Sequence, residues 1–238
     1  MAKWKERAVL LFKEEGIQKL ESAHVLVVGL GGVGSFAAEF LARAGVGKMT
    51  IVDGDVVDIT NINRQLPALH STVGQPKVKI VGDRLMDINP ELKLTRIEEF
   101  LSPERVYELV SPEFDYVLDC IDSLSPKVNL ILACKRKKVK IISNMGAGGK
   151  FESEKVRVRD ISKTEYCPLA KNVRKRLKME GISKGVKVVY SYERPDYTSI
   201  KTTDGTNFKK SFYGTNSWLP ALFGLHAAET VVKYLIGK

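Results

Sequence analysis

The chain has 238 residues, 44% of them hydrophobic, which is enough to bury a core in one or two domains and excludes a wholly disordered polymer. Its 38 Lys and Arg against 28 Asp and Glu leave a formal charge of +10, which favours polyanionic partners and is silent on fold. Cys120, Cys134 and Cys167 form no C-x-x-C pair, so neither a zinc site nor a disulfide framework is expected, and a charged N-terminus without a signal-like apolar core fits a cytoplasmic protein.

Residues 4–20 read as an amphipathic helix, with Ala8, Leu11, Phe12 and Glu15 at helical spacing and Gly16 weakening the last turn. "HVLVVG" is an unalternating apolar run, the pattern of a strand buried on both faces of a parallel sheet. A helix "VGSFAAEFLARAGVG" ended by Gly45, a strand "KMTIVDGD" and a polar loop "TNINRQLPALHSTVGQPK" turning at Gly74 follow. "KVKIVGDRLMDINP" is a helix stopped by Asn89 and Pro90, "LKLTRIEEF" a strand, and "SPERVYELV" a helix capped by Ser102 with Pro103 in its first turn. "FDYVLDC", "SPKVNLILACKRKK" and "VKIISN" repeat the strand, helix, strand rhythm. Such alternation predicts right-handed crossovers and an α/β, doubly wound, mainly parallel sheet.

Beyond Asn144 come a second glycine cluster "MGAGGKF", a basic strand "KVRVRD", a helix "PLAKNVRKRLKMEG" and a strand "GVKVVYSYE". Residues 193–216 are polar with little periodicity and read as a long functional or disordered loop. Residues 217–235 form a closing helix; His226, Glu229, Thr230 and Lys233 interrupt its apolar run, so it is expected as a core helix with one wet face rather than a membrane span.

Gly29, Gly31, Gly32 and Gly34 carry the G-x-G-x-x-G spacing between a strand and a helix, where glycines permit a tight turn and the helix N-terminus offers free N–H groups to phosphate. Asp53 stands at the end of the next strand, placed to accept from ribose hydroxyls. The glycines alone leave open a redox dinucleotide or ATP. The stretch after them adds Asn61, Asn63, Arg64 and Gln65, then Lys77, two cations plus amides suited to a triphosphate. Asp122 lies just past the fourth strand, where a carboxylate can hold Mg²⁺ against phosphates.

Together "GLGGVG", "VDGD", "NINRQ", "GQPK" and "DCIDS" resemble the ubiquitin-activating-like superfamily of ATP-dependent adenylating enzymes. "NRQLPALHSTVGQPKV", "DCIDSLSPKVNLILAC", "GAGGK" and "DISKTEYCPLAKNVRKRLK" resemble its tRNA threonylcarbamoyladenosine dehydratase branch, over nearly the whole chain from Arg7. The resemblance implies a Rossmann-like fold, ATP and Mg²⁺ as cofactors, and a tRNA carrying threonylcarbamoyladenosine as substrate. It implies that Gly29, Gly31, Gly32 and Gly34 hold phosphates, Asp53 the ribose, and Asn61, Arg64, Gln65 and Lys77 the triphosphate, with Asp122 beside the metal. Arg7 matches an arginine offered to the partner subunit's γ-phosphate, which implies a homodimer; a sulfur-relay protein is a further expected partner. The chain departs from sulfur-carrier-activating relatives in lacking two C-x-x-C pairs, and from thioester-forming members in lacking a cysteine between residues 193 and 216.

Residues 1–150 are thus expected to form the ATP-binding part, and 151–238 a smaller, basic, tRNA-facing part sharing the same fold. In the basic helix, Leu169, Val173 and Leu177 mark a buried stripe, and Lys171, Arg174, Lys175 and Lys178 line one face, either a solvated face or an RNA-backbone footprint. Tyr190, Tyr192, Tyr197, Phe208, Phe212 and Tyr213 in or near the long loop are open to two readings, base stacking or core packing. The expected reaction is cyclising dehydration through an acyl adenylate. The alternatives are an adenylyltransferase for a ubiquitin-like sulfur carrier, an NAD-dependent oxidoreductase, and a non-enzymatic RNA-binding module.

Overall fold

The apolar runs of the sequence become the interior strands of one sheet in the computed structural model, which describes residues 3–202 and 211–238; Phe208 lies outside them. Its strands are β1 (His24–Val28), β2 (Lys48–Val52), β3 (Lys93–Ile97), β4 (Tyr116–Asp119), β5 (Ile141–Asn144), β6 (Val156–Asp160) and β7 (Lys187–Ser191), in the spatial order β3-β2-β1-β4-β5-β7-β6. Every pairing is parallel except β6 with β7. β1 is an interior strand, with Val27 facing Ile51 of β2 on one side and Leu118 of β4 on the other.

Because side chains alternate along a strand, β1 feeds two core layers. Val25 and Val27 pack into a layer with α1 (Glu6–Ser22), α2 (Gly34–Ala44), α3 (Lys77–Ile88) and α7 (Trp218–Ile236). Leu26 and Val28 pack into a layer with α4 (Pro103–Leu109), α5 (Leu124–Arg136) and α6 (Pro168–Met179). Both faces are covered over the interior strands β1, β4 and β5, which is why these carry no polar alternation, whereas the edge strands β3 and β6 carry exposed polar residues. Local signals set the helix ends: Ser102 accepts from the Arg105 N–H at 3.2 Å, and Gly45 closes α2 at φ +94°. α7 is long and apolar enough to span a bilayer, yet Leu219, Phe223, Ala227 and Val231 are buried in this core.

β6 and β7 extend the sheet directly from β5, so residue 150 marks no break in it. Two expectations need correction. Leu11 is 65% exposed rather than part of a buried stripe, because α1 breaks at Lys13 (φ +64°), which shifts its first turns out of phase with the buried Ile17 and Leu20. The stretch expected as a structureless loop contains a small antiparallel hairpin, β8 (Ile200–Thr202) with β9 (Ser211–Tyr213). Its strands are short and mostly exposed, so no buried face imposes an alternating pattern on the sequence.

The order of the strands locates the site. β2 lies on one side of β1 and β4 on the other, so the connections leaving β1 and β4 diverge and open a crevice at their carboxyl ends.

Candidate functional site

β1 runs directly into Gly29, whose φ of +89° suits glycine, and a Cβ there would lie 2.9 Å from the Cys120 carbonyl oxygen. A Cβ on Gly34 would overlap the Gly29 carbonyl oxygen. These two glycines let the start of α2 close onto the end of β1. Gly31 and Gly32 do something else. A Cβ on Gly32 would lie 3.1 Å from both the Arg64 carbonyl oxygen and Pro220, and one on Gly31 would lie 3.6 Å from the Gln65 amide. They form the floor on which the 61–65 loop rests.

Asp53 ties the end of β2 to this turn: its Oδ2 accepts from the Leu30 N–H at 2.6 Å and its Oδ1 from the Asp55 N–H at 2.8 Å. Burial raises the Asp53 pKa, against the opposing pull of Lys77 and of these N–H groups. Each oxygen keeps a further lone pair, which a ribose hydroxyl can use.

Asn61 is buried and shapes its own loop. Its Oδ1 accepts from the Asp58 N–H at 3.2 Å, and its carbonyl accepts from the N–H groups of Arg64 and Gln65 at 3.0 and 2.9 Å. The Arg64 guanidinium donates to the Thr60 carbonyl at 2.9 Å and to Asn63 Oδ1 at 2.8 Å. Burial lowers the Arg64 pKa, while the charges of Asp122 and Asp58 oppose that shift, so Arg64 and Asp122 are within electrostatic reach across the crevice. Gln65 Oε1 is buried without a hydrogen-bond partner among the described residues. An unpaired buried acceptor is costly, and here it borders the glycine turn.

Lys77 opens α3 with its side chain 6% exposed, and its Nζ lies 2.9 Å from Asp55 Oδ2. The Lys77 ammonium is therefore held in place by Asp55. Asp122 is exposed beyond β4 and accepts from Ser123 Oγ at 3.3 Å. No group of three or more potential metal ligands occurs among the described residues.

Sequence reasoning missed a second set of residues beneath this mouth. Lys127 and Asp119 are both 0% exposed and paired at 2.8 Å; Lys127 also donates to the Asn144 carbonyl at 2.9 Å, and Ser143 Oγ donates to Asp119. The other Asp119 oxygen accepts from the Ile121 N–H at 3.0 Å, fixing the turn that delivers Asp122. The available signal was a lysine in the first turn of the "SPKVNLILAC" helix, immediately before its apolar run.

Elsewhere the placements are mixed. Arg7 is exposed on α1. Lys171, Lys175 and Lys178 are exposed on α6, but Arg174 is engaged with the carbonyl and hydroxyl of Thr164, which removes it from the open cationic face. The buried stripe of α6 is Ala170, Val173 and Leu177, with Leu169 half-buried. Tyr190 is core, whereas Tyr197 and Phe212 are 62% and 48% exposed, so core packing accounts for the first and not for the other two. Burial pushes the Cys120 and Cys134 thiols up to about 12, which keeps both protonated at neutral pH.

Comparison with known proteins gives the family and the fold. The ThiF family pattern matches residues 5–238. A tRNA threonylcarbamoyladenosine dehydratase of Bacillus subtilis is 41% identical over 97% of this chain and 93% of its own length. The crystal structure of the Escherichia coli tRNA N6-threonylcarbamoyladenosine dehydratase in complex with ATP superposes with a TM-score of 0.90, at 36% identity, covering 100% of this chain and 96% of that one. The same enzyme in complex with AMP gives 0.89 at 37% identity with the same coverage. A molybdopterin-synthase adenylyltransferase of E. coli is 38% identical over 60% of this chain and 56% of its own length.

Proposed function

The chain belongs to the ThiF family, and from that premise we propose that it catalyses the ATP-dependent cyclising dehydration of threonylcarbamoyladenosine next to the anticodon of tRNA. The observation that carries this reading is the seating of the 61–65 loop on the glycine turn at the crevice between β1 and β4, with Asp122 just past the end of β4. The near-full-length likeness to dehydratases, against a partial likeness to an adenylyltransferase, favours this substrate over a sulfur carrier.

In this reaction the threonyl carboxylate attacks the α-phosphorus of ATP and pyrophosphate leaves. The carbamoyl oxygen or nitrogen then attacks the acyl carbon, closing a five-membered ring and expelling AMP. The oxygen lost by the nucleoside departs in AMP, so the nucleoside loses the elements of one water. No protein nucleophile is needed, because an attacker within the same molecule already has a high effective molarity.

The chain's own residues bind and orient. Gly29 and Gly34 admit the phosphates to the N–H groups of α2, and Asp53 receives the ribose through its remaining lone pairs. Arg64 and Lys77 stabilise charge on the phosphates, while Asn61 and Gly32 keep the Arg64 loop in register. Gln65 offers its unpaired oxygen to a ligand donor. The exposed carboxylate of Asp122 would hold Mg²⁺, an ion commonly bound through one or two carboxylates together with substrate phosphates. Bound there, the ion supplies charge neutralisation on the phosphates.

Lys171, Lys175 and Lys178 form the RNA-backbone contact in this reading, within the 151–238 part that shares the nucleotide sheet. Exposed Arg7 and an apolar cleft between α1 and α7, bordered by Leu11, Phe12, Phe40 and Leu225, support a homodimer in which Arg7 reaches the partner's ATP. A cytoplasmic setting and a sulfur-relay partner complete the proposal. The test is to incubate the protein with ATP and such a tRNA, digest the product and weigh the nucleoside. Loss of one water with stoichiometric AMP is expected; an unchanged nucleoside with no AMP sinks the reading.

A further inference from the structure

Tyr166 is one of three non-glycine residues with positive φ among those described, at +53°. Lys138 holds such a conformation just after α5, where helices commonly end that way. Lys13 marks the break in α1. Tyr166 has neither excuse. It stands before the first turn of α6, its ring is 48% exposed, and Asn or Gly would adopt that backbone with less strain. An exposed ring held at a conformational cost recovers little of that cost from burial, so the structure itself gives no reason for an aromatic side chain there.

The ring has a charged cover. The Arg194 guanidinium lies 4.8 Å from its centroid, a cation–π distance, and leaves the ring half exposed. This pair is joined to the nucleotide crevice by one continuous stretch. Residues 146–149, leaving the end of β5, form its floor: a Cβ on Gly146 would lie 3.8 Å from Cys167 Sγ, next to Tyr166 in sequence. One on Gly149 would lie 3.2 Å from Pro195, next to Arg194, and one on Gly148 would lie 2.9 Å from Tyr213 and 3.3 Å from Thr215. The Thr215 carbonyl in turn accepts from Asn63 of the Arg64 loop at 2.8 Å. Exposed Tyr197 stands edge-on to Tyr213 at 6.2 Å, and the exposed lysines of α6 begin five residues past Tyr166 with Lys171.

Aromatic rings beside a line of cations, leading to a phosphate site, match the way unpaired nucleotides are held: bases stack on the rings and phosphates track the cations. Resting on the RNA-modifying reading above, we infer that Tyr166, clamped by Arg194, is the stacking platform for an unpaired base flanking the reacting adenosine. A nucleoside must leave the loop stack to reach the crevice, and a platform at its edge holds the neighbouring base while it does.

The experiment uses an anticodon stem–loop carrying threonylcarbamoyladenosine, with 2-aminopurine in place of the base on its 3′ side. Stacking on Tyr166 is expected to quench the fluorophore when wild-type protein binds. Tyr166→Asn, suited to the positive φ, is expected to abolish the quench and raise KM for the stem–loop about 10-fold, within the range of one lost base stack. Its kcat and its KM for ATP stay within about twofold, and its melting temperature does not fall. Tyr166→Phe keeps the ring and behaves as wild type, and Arg194→Ala gives an intermediate loss. Unchanged quench and KM in both Tyr166→Asn and Arg194→Ala overturn the platform. A purely structural role for Tyr166 shows instead as a lower melting temperature with KM unmoved, and also overturns it. If wild-type protein binds and quenches the RNA but forms no AMP, the reaction reading fails while the platform stands.

Discussion

Two corners where a strand hands over to a helix flank the glycine turn, and each holds a lysine against an aspartate in a different setting. After β2, Lys77 meets Asp55 at 2.9 Å, with the lysine side chain 6% exposed and the aspartate 55% exposed. After β4, Lys127 meets Asp119 at 2.8 Å with both at 0%. The difference separates two uses of one chemistry. Asp55 can return to water, so Lys77 can exchange it for a phosphate with little penalty. Asp119 has no water to return to, so Lys127 cannot be lent to a ligand, and its work is to hold the Asp119–Ile121 turn in shape.

The sharpest break of this comparison is Lys127→Met. It strands a buried carboxylate and should cost about 3–5 kcal/mol in urea unfolding. The double variant Lys127→Met with Asp119→Leu should recover most of that stability, yet make AMP slowly, because the Ile121 N–H loses its acceptor and Asp122 its anchor. A loss under about 1 kcal/mol in the single variant would place this pair in the same class as a surface bridge.

At the other corner the pattern should reverse. Lys77→Met, or Arg64→Ala, should slow ATP-dependent AMP formation by about 10²–10³-fold, the usual scale for one transition-state donor. For Lys77→Met the unfolding free energy should move by no more than about 1 kcal/mol, since the stranded Asp55 is solvated. A Lys77 variant that unfolds before it loses turnover makes the two corners equivalent.

Asp55→Asn asks whether the accessible pair merely parks Lys77. Stability should be nearly unchanged and KM for ATP should shift by less than about fivefold, in line with a half-exposed bridge. A larger rise in KM assigns Asp55 to the ligand site.

The smallest effect concerns how dry β4 is. Burial pushes the phenol of Tyr116, its first residue, from 10.0 up to about 12. The unfolded chain therefore ionises this group first as pH rises, so its contribution to stability is intact below pH 10 and drains away towards about 12. Tyr116→Phe should flatten that part of the alkaline unfolding profile. An unaltered slope says that the phenol titrates in contact with solvent.

The sequence could be read closely wherever cause and effect lie near each other along the chain. The Ser102 cap, the Asn89 stop, the Gly45 terminus and the unalternating strands each follow from stereochemistry or burial within a few residues. That the strands pair mainly in parallel follows from their alternation with helices, while their spatial order is visible only in the fold. The residues around the crevice were named because their types and spacing suit a triphosphate. Their settings were not legible: Asn61 turned out to cap its own loop, Gly32 to support Arg64, and Arg174 to be spent on Thr164. The hairpin of β8 and β9 escaped because two mostly exposed short strands leave no hydrophobic period to detect.

By itself the amino-acid order determined a two-sided parallel sheet, a phosphate-admitting turn after the first strand and a basic surface, because backbone sterics and hydrophobic periodicity act over one turn or one strand. Tertiary structure alone decided which charges are free. Lys127 finds Ser143 and Asn144 on the neighbouring strand β5, and Asn63 finds Thr215 across 152 residues of chain. Whether a lysine meets water, a carboxylate or a ligand depends on what the chain's topology packs against it, and no local pattern encodes that.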